Sequence, residues 1–515
     1  MIKQTYLNFK KENRLNLFGH EDAGKENKDR LSSYYYKTIQ YEDVMSSIGL
    51  QIVTGEKGTG KSALLRMAYL DSEELDMVPI WIRLDDLSEL YSGILHADNL
   101  YQLKTLWKQA ISKLVIMNLV SNIRMTCNEE CQKALEWAYT YGYASKDFLT
   151  HTAKMLKPLY EKFVDSNSDG VQKGEHRILE RMLKTKNIRL FFDDFDLDWK
   201  GNASDILRMK SLLLSLSDMT SDIDGLSARI ALRTDVYEMI RNEEFSDKFE
   251  SCIIKCKWNN QEIIKTLAKR ICTYFNISFD EGILKDSDMM QYQLAKYLNY
   301  VFEPAFDNST KVWCNAPTHR VIYSLIRRKP RDMVKLCQST AEEAYNRHLD
   351  KINAICFVKI LENYSQERLK DLINEYSNQM PKLQDLLVRM APTRQEIKNK
   401  TTERYVYSTD QLHKKIQNIQ QNITINIFEA SDERMHVADF HQIAHFLYKI
   451  GFITGRKRDV SDKISRVYYD ESPYLLNANT GDGGYSWEIH PAYRGALAKG
   501  INDVWEATLD VNDEF

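Results

Sequence analysis

Gly55-Glu56-Lys57-Gly58-Thr59-Gly60-Lys61-Ser62 is the stretch whose reading decides the fold. It fits G-x-x-x-x-G-K-[ST], and its flanks have the form that pattern needs. Ile48 to Thr54 reads as a short buried strand, and Ser62 to Tyr69 as a helix. Glycines let backbone N–H groups turn inward, and a helix N-terminus adds partial positive charge, so strand, loop and helix together form a phosphate cradle. All eight residues are expected to bind a nucleoside triphosphate, with Lys61 reaching its β- and γ-phosphates and Ser62 holding Mg²⁺.

Downstream, Val78-Pro79-Ile80-Trp81-Ile82-Arg83-Leu84 reads as a second strand, its apolar run suiting a parallel sheet buried on both faces. About a hundred residues separate it from the next strand, far more than a crossover needs. Leu100 to Val120, Asn128 to Tyr141 and Lys146 to Val164 space apolar residues three and four apart, so a helical insertion is expected over about 88–186, with a turn at Asp165 to Gly170. Asn187 to Phe192 is the next strand, and it ends in Asp193-Asp194-Phe195-Asp196. An acidic pair at a strand's carboxyl end supplies one carboxylate to the Mg²⁺ shell and one to orient or deprotonate the attacking water. Asp193 is assigned to the metal and Asp194 to the water. Ser227 to Leu232 is a further strand, after which Arg233 either senses the γ-phosphate or lies in a surface turn that caps the helix Val236 to Arg241, with Thr234 or Asp235 as its N-cap. Ser251 to Cys256 closes a parallel five-stranded sheet, with one strand expected between the loop strand and the acidic strand. Ligands on such sheets bind at the strands' carboxyl ends.

The rest of the chain is read from weaker signals. Upstream of the loop, Tyr34, Tyr35 and Tyr36 fit either a cover over a nucleotide base or packing on a sheet edge. From Asn259, helical periodicity runs for some 150 residues, which predicts an all-helical lid domain over 259–400. Within it, Pro330 suits a helix start and Arg331 stands near that helix's N-terminus, either free to reach a phosphate or part of a solvated basic turn. Region 401–515 has a helix around Gln411, another over Val437 to Ile450, then strand-like Ser465 to Tyr469 and Tyr485 to His490 around a glycine turn at Asn479 to Gly484. Helices followed by a two-stranded hairpin is the order of a winged-helix domain, which can enter a DNA groove, dock a protein or pack on the core. Arg456, Lys457, Arg458, Lys463 and Arg466 are its concentrated positive charge. The predicted organisation is an ATPase core at 1–258, the lid at 259–400 and the winged-helix-like domain at 401–515.

The whole chain of 515 residues sets outer bounds. A hydrophobic fraction of 43% and a charged fraction of 28% describe an ordinary globular protein, and a net charge of −3 gives no global attraction to nucleic acid. Its eight cysteines form no C-x-x-C pair, which argues against a zinc knuckle or disulfide framework and for a reducing cytoplasm. The N-terminus lacks an apolar core of signal-peptide length, and no membrane contact is expected. No guanine-reading Asn-Lys-x-Asp follows a late strand, which favours ATP over GTP; Asn399-Lys400-Thr401 only begins like one.

Gly55 to Ser62, Phe191 to Asp196, Leu232-Arg233-Thr234-Asp235 and Lys329-Pro330-Arg331-Asp332 resemble the ordered motifs of AAA+ and STAND-type P-loop ATPases. The Asp-Asp-x-Asp form resembles the STAND and KAP groups, and the helical lid with a terminal winged helix resembles archaeal origin-recognition ATPases. The chain is also similar to a bacterial P-loop ATPase family whose members share Phe18-Gly19 and Ile489-His490-Pro491 with it. The resemblance implies that Lys61 and Ser62 are the Walker A residues, Asp193 and Asp194 the Walker B pair, Arg233 sensor 1 and Arg331 sensor 2. Most AAA+ members have glutamate at the position of Asp194, and the shorter carboxylate implies slow hydrolysis, suited to a switch. Relatives of this kind serve in bacterial anti-phage defence. The implied role is therefore an ATP- and Mg²⁺-dependent switch that forms ATP-dependent homo-oligomers and licenses a protein effector encoded nearby. The competing reading is a DNA-binding, initiator- or loader-like ATPase that uses its winged helix on duplex DNA.

Overall fold

Six consecutive buried residues, Leu50–Gly55, form β1, the strand that leads into the glycine loop. The computed structural model describes residues 8–75, 77–87, 94, 97, 99–121, 187–197, 199–241, 247–280, 287–307, 313, 315–393, 396, 405–429, 434–458, 464–477 and 482–498. The chain divides into two units, one of Lys37–Gly55 with Lys61–Cys256, the other of Met1–Tyr36, Glu56–Gly60 and Lys257–Phe515.

In the first unit β1 joins β2 (Val78–Ile82), β3 (Ile188–Phe192), β4 (Leu226–Arg233) and β5 (Ile253–Lys255) in a sheet ordered β2-β3-β4-β1-β5. Every pairing is parallel, and β4 lies between the loop strand and the acidic strand as the sequence predicts. Helices α1 (Ile39–Met45), α2 (Lys61–Glu74), α3 (Leu100–Ser121), α4 (Ala203–Asp222) and α5 (Thr234–Ile240) belong to this unit. Tyr69 of α2 sets its ring edge-on to Trp81 of β2 and Phe191 of β3, with centroids at 5.9 and 5.8 Å. On α3, Trp107 donates its indole N–H to Ser211 Oγ of α4 at 3.1 Å, which satisfies the one polar atom of a buried ring. The expected helices at 128–141 and 146–164, and the turn at 165–170, lie outside the described residues.

One residue of β4 defies the apolar reading of that strand. Arg229 is fully buried and donates to the carbonyls of Val44, Ser46, Ile48, Gly49 and Ala228 at 2.7 to 3.1 Å. Converging carbonyl dipoles compensate the buried charge and fasten the segment that leads into β1.

The second unit holds two apolar cores. One gathers Phe9, Leu17 and Phe18 with residues between Ile263 and Tyr364, so the N-terminal residues that the sequence reading grouped with 1–258 fall here. Its helices are α6 (Asn260–Phe275), α7 (Ser287–Leu298), α8 (Thr318–Leu325) and α9 (Pro330–Asn346). An Asn259/Glu262 capping box starts α6, and Pro330 opens α9. Helix α10 (Ala354–Tyr376) runs from this core into the other, which spans Leu369 to Leu497. The second core includes α11 (Leu383–Arg389), α12 (Thr409–Gln420), α13 (Phe440–Lys449) and α14 (Pro491–Leu497).

Two expectations for the C-terminal region need correction. The segments near 465–469 and 485–490 do not pair with each other. As β10 (Ile464–Val467) and β11 (Ser486–Ile489) they flank β9 (Ile453–Arg458), in a sheet ordered β10-β9-β11-β6 with β6 at Val406–Tyr407. Strand β9 was hidden by its basic letters. Arg456 is buried, and at Gly455 a Cβ would lie 2.5 Å from Val467 Cγ1, so only glycine lets β10 approach there. The helix expected from Val437 starts instead at Phe440, because Asp439 and Gln442 form a capping box and Arg434–Val437 is β8, paired with β7 (Asn426–Glu429).

Candidate nucleotide-binding site

Parallel register sets the sheet unit's share of the site. Gly55 lies opposite Arg233, and β3 ends one residue before Asp193. Lys61 opens α2 and donates from Nζ to the Gly55 carbonyl at 2.7 Å. The next residue, Ser62, donates from Oγ to Asp193 Oδ1 at 3.2 Å. Asp193 is buried at 6% exposure, and burial, then the neighbouring charge of Asp194, push its carboxyl up to about 6. The Ser62 hydroxyl and Lys61 lower it, but do not offset that burial.

Asp194 differs from its neighbour in every respect that matters here. It is exposed, and its backbone is left-handed at φ 62°, a conformation an aspartate tolerates better than most residues. The turn separates the two carboxylates, sending Asp193 onto Ser62 and leaving Asp194 in contact with solvent. Arg233 does not stand open. Its backbone N–H donates to Asp196 Oδ2 at 2.9 Å, its Nε lies 3.5 Å from the same oxygen, and it donates from a terminal nitrogen to Asp235 Oδ2 at 3.0 Å. Thr234 and Asp235 are not the N-cap of α5; Arg233 holds that position.

The second unit contains the crown of the loop. Gly58 and Gly60 take φ of 89° and 93°, left-handed values that a side chain would strain. Thr59 donates from N and Oγ1 to the Glu56 carbonyl at 3.3 and 2.9 Å. Four successive loop residues are then held from outside the loop. Lys329 Nζ lies 2.5 Å from Glu56 Oε2. Lys57 N–H donates to Glu375 Oε1 at 2.6 Å. The Gly58 carbonyl accepts from Arg331 N at 3.2 Å, and the Thr59 carbonyl from Trp258 Nε1 at 2.5 Å. Arg331 directs Nε to the Glu21 carbonyl at 3.4 Å. Sequence reading missed Trp258, Lys329 and Glu375 as site residues. Glu375 looks like any carboxylate on an amphipathic helix, and only its burial sets it apart.

Of the five basic residues near β9, Arg456 is buried and Arg466 pairs with Glu488 at 2.8 and 3.2 Å. Lys457 and Arg458 are exposed, and Lys463 lies outside the described residues. Among the described residues no helix is long and apolar enough to cross a membrane. Nor does any group of three or more His, Cys, Asp or Glu side chains there form a cage for a metal ion. Mg²⁺ needs no such cage, since it binds through one or two side-chain oxygens plus phosphate and water. A buried carboxylate bonded to a serine hydroxyl fits that role.

The glycine loop between β1 and α2, with the sheet order, decides the class. This is an α/β P-loop NTPase fold.

No family model matches this P-loop chain. It is 20% identical over 530 aligned positions to the transposon gamma-delta 80.3 kDa protein of Escherichia coli (strain K12), covering 97% of this chain and 70% of that one. Among solved structures it is similar to Cdc6p of Pyrobaculum aerophilum (10% identity, TM-score 0.32, 95% of this chain and 98% of that one). The Aeropyrum pernix Orc1 protein in complex with DNA gives 11%, 0.33, 94% and 95%, and the Aeropyrum pernix Orc2 protein in ADPNP–ADP complexes 10%, 0.35, 94% and 92%. TM-scores this low carry no function across.

Proposed function

We propose that this protein binds ATP with Mg²⁺ and hydrolyses it slowly, as a nucleotide-controlled switch of AAA+ type. The observation that carries this reading is the Ser62–Asp193 pair, 3.2 Å apart beside Lys61 in a buried sheet end. Gly55, Glu56, Lys57, Gly58, Thr59 and Gly60 wrap the phosphates, with Lys61 countering their charge. Ser62 and Asp193 hold Mg²⁺, which supplies charge neutralisation at the β- and γ-phosphates. Asp194, exposed on its left-handed turn, orients the attacking water and takes its proton. Arg233 senses the γ-phosphate by exchanging its bonds to Asp196 and Asp235 for a phosphate oxygen, and Arg331 senses it from the start of α9. The test is Asp194→Asn, expected to bind ATP like wild type and to lose turnover about a hundredfold or more, the range of a general base. Hydrolysis at the wild-type rate would remove Asp194 from that role.

The output assigned to the switch is ATP-dependent self-assembly and the licensing of a protein effector encoded nearby, in anti-phage defence within the cytoplasm. Co-purification of a neighbouring gene product only with ATP and the Asp194→Asn protein would support it. Lys457 and Arg458, exposed on β9, favour a second reading, an initiator- or loader-like ATPase on duplex DNA. Phosphate contacts release counterions, so that reading requires duplex binding that weakens steeply with salt. The internal positions of Arg456 and Arg466 limit the charge available for it.

A further inference from the structure

The crown of the loop is tied to one end of a helix whose other contacts lie far from any phosphate. Glu375, 3% exposed, is the penultimate residue of α10 and accepts the Lys57 N–H. Its second oxygen is 3.7 Å from Lys329 Nζ, which also pairs with Glu56. Burial lowers the Lys329 pKa, but Glu375 and Glu56 outweigh it and raise it, so the ammonium stays charged between two carboxylates. Lys329 is also the N-cap of α9. Three residues on, Asp332 accepts from Arg327 at 2.6 and 3.0 Å and from Arg368 of α10 at 2.6 Å, and Arg327 donates on to Tyr493 Oη of α14 at 3.2 Å. Helix α14 lies hard against α10. A Cβ at Gly495 would sit 2.9 Å from the Leu361 carbonyl and 2.6 Å from Ser365 Oγ.

We propose that Glu375, with Lys329, Trp258 and the Arg331 N–H, is a clasp that couples the phosphate loop to α10 and α14, so that nucleotide on the loop alters the C-terminal core. The inference rests on the ATP-binding reading above. A phosphate in the cradle competes with Glu375 Oε1 for the Lys57 N–H, one of the loop's inward-turned backbone donors. Release of that N–H requires a shift of the loop or of Glu375. Glu375 stands on α10, and Arg368 of the same helix is linked through Asp332 and Arg327 to Tyr493 of α14, which gives the shift a path along α10. Glu375 is a positioning residue and touches no reacting atom.

The test is hydrogen exchange of the full chain, with and without saturating ATPγS and Mg²⁺, alongside mant-ATP binding. Wild type is expected to change protection in residues 365–376 and 491–497 on binding. Glu375→Ala should bind nucleotide and lose at least half of the change at 491–497. Glu375→Gln should restore it, because an amide oxygen still accepts the Lys57 N–H. Trp258→Phe removes the bond to the Thr59 carbonyl while keeping an aromatic ring against the core, and should give a smaller loss, which keeps the question decidable if Glu375→Ala does not fold. A full response in Glu375→Ala or in Trp258→Phe, or no restoration by glutamine, overturns the clasp. Normal mant-ATP binding in those variants leaves the ATP reading intact, whereas absence of binding by wild type sinks both.

Discussion

Asp193 and Asp332 are the same residue type, 6% and 1% exposed, yet their carboxylates live in opposite environments. Asp332 is buried, but Arg327 and Arg368 surround it with charge-assisted hydrogen bonds, holding its carboxyl far below the usual range. Asp193 has a serine hydroxyl and Lys61 nearby, and burial beside Asp194 leaves its carboxyl raised to about 6. The over-compensated carboxylate belongs to structure, and the under-compensated one is the carboxylate to which the proposed function assigns Mg²⁺.

The comparison is most sharply tested by removing each charge. Asp332→Ala strands two buried guanidinium groups and should cost about 3–5 kcal/mol, read as a large fall in the midpoint of thermal or urea unfolding. A loss below about 1 kcal/mol would show that the network does not hold the helical unit together. Asp193→Asn should leave stability unchanged or raise it by up to about 3 kcal/mol at pH 8, because it removes a carboxylate that burial disfavours. The same variant should lose Mg²⁺-dependent hydrolysis. A fall in stability comparable to that of Asp332→Ala would erase the distinction.

Acid should separate His490, Asp332 and Asp193 by sign and window. His490 is buried, accepts the Ala492 N–H, and is held down to about 3 by burial and then by Arg466. Between pH 6.5 and about 3 the unfolded chain therefore binds a proton that the folded chain refuses, so stability falls as pH drops, by at most about 1.4 kcal/mol per unit. Asp332, depressed instead, adds its own loss only below about pH 4. Asp193 works in the opposite sense: its raised carboxyl makes the folded chain bind the extra proton between about pH 4 and 6. Replacing His490 with asparagine should flatten the decline between pH 6.5 and 4 in urea titrations. An unchanged slope would show that another group causes the decline.

The smallest effect concerns the arginine held by two carboxylates. Arg233→Lys keeps the charge but loses the forked contact to Asp196 and Asp235, and should change stability by less than about 1 kcal/mol while slowing hydrolysis. Unchanged hydrolysis would assign Arg233 to structure.

Where chemistry is written in contiguous residues, the fold was legible. The apolar runs of β1 and β3, the glycine spacing and the pair Asp193-Asp194 are local patterns with a local physical cause, and the placing of β4 followed from them. What stayed hidden depends on burial, which no window of sequence reports. Arg229 sits mid-strand because carbonyls from a distant segment converge on it. Strand β9 reads as a basic tract, since its letters do not show that Arg456 is buried within it. Glu375, Lys329 and Trp258 reach the loop from up to hundreds of positions away, with no motif to announce them.

The central claim is that Gly55–Ser62 holds a Mg²⁺–nucleoside triphosphate, and equilibrium titration of the full chain with mant-ATP tests it most directly. Saturable binding that Mg²⁺ strengthens and Lys61→Ala abolishes is the predicted result. Equal binding by Lys61→Ala, or none by wild type, would contradict it.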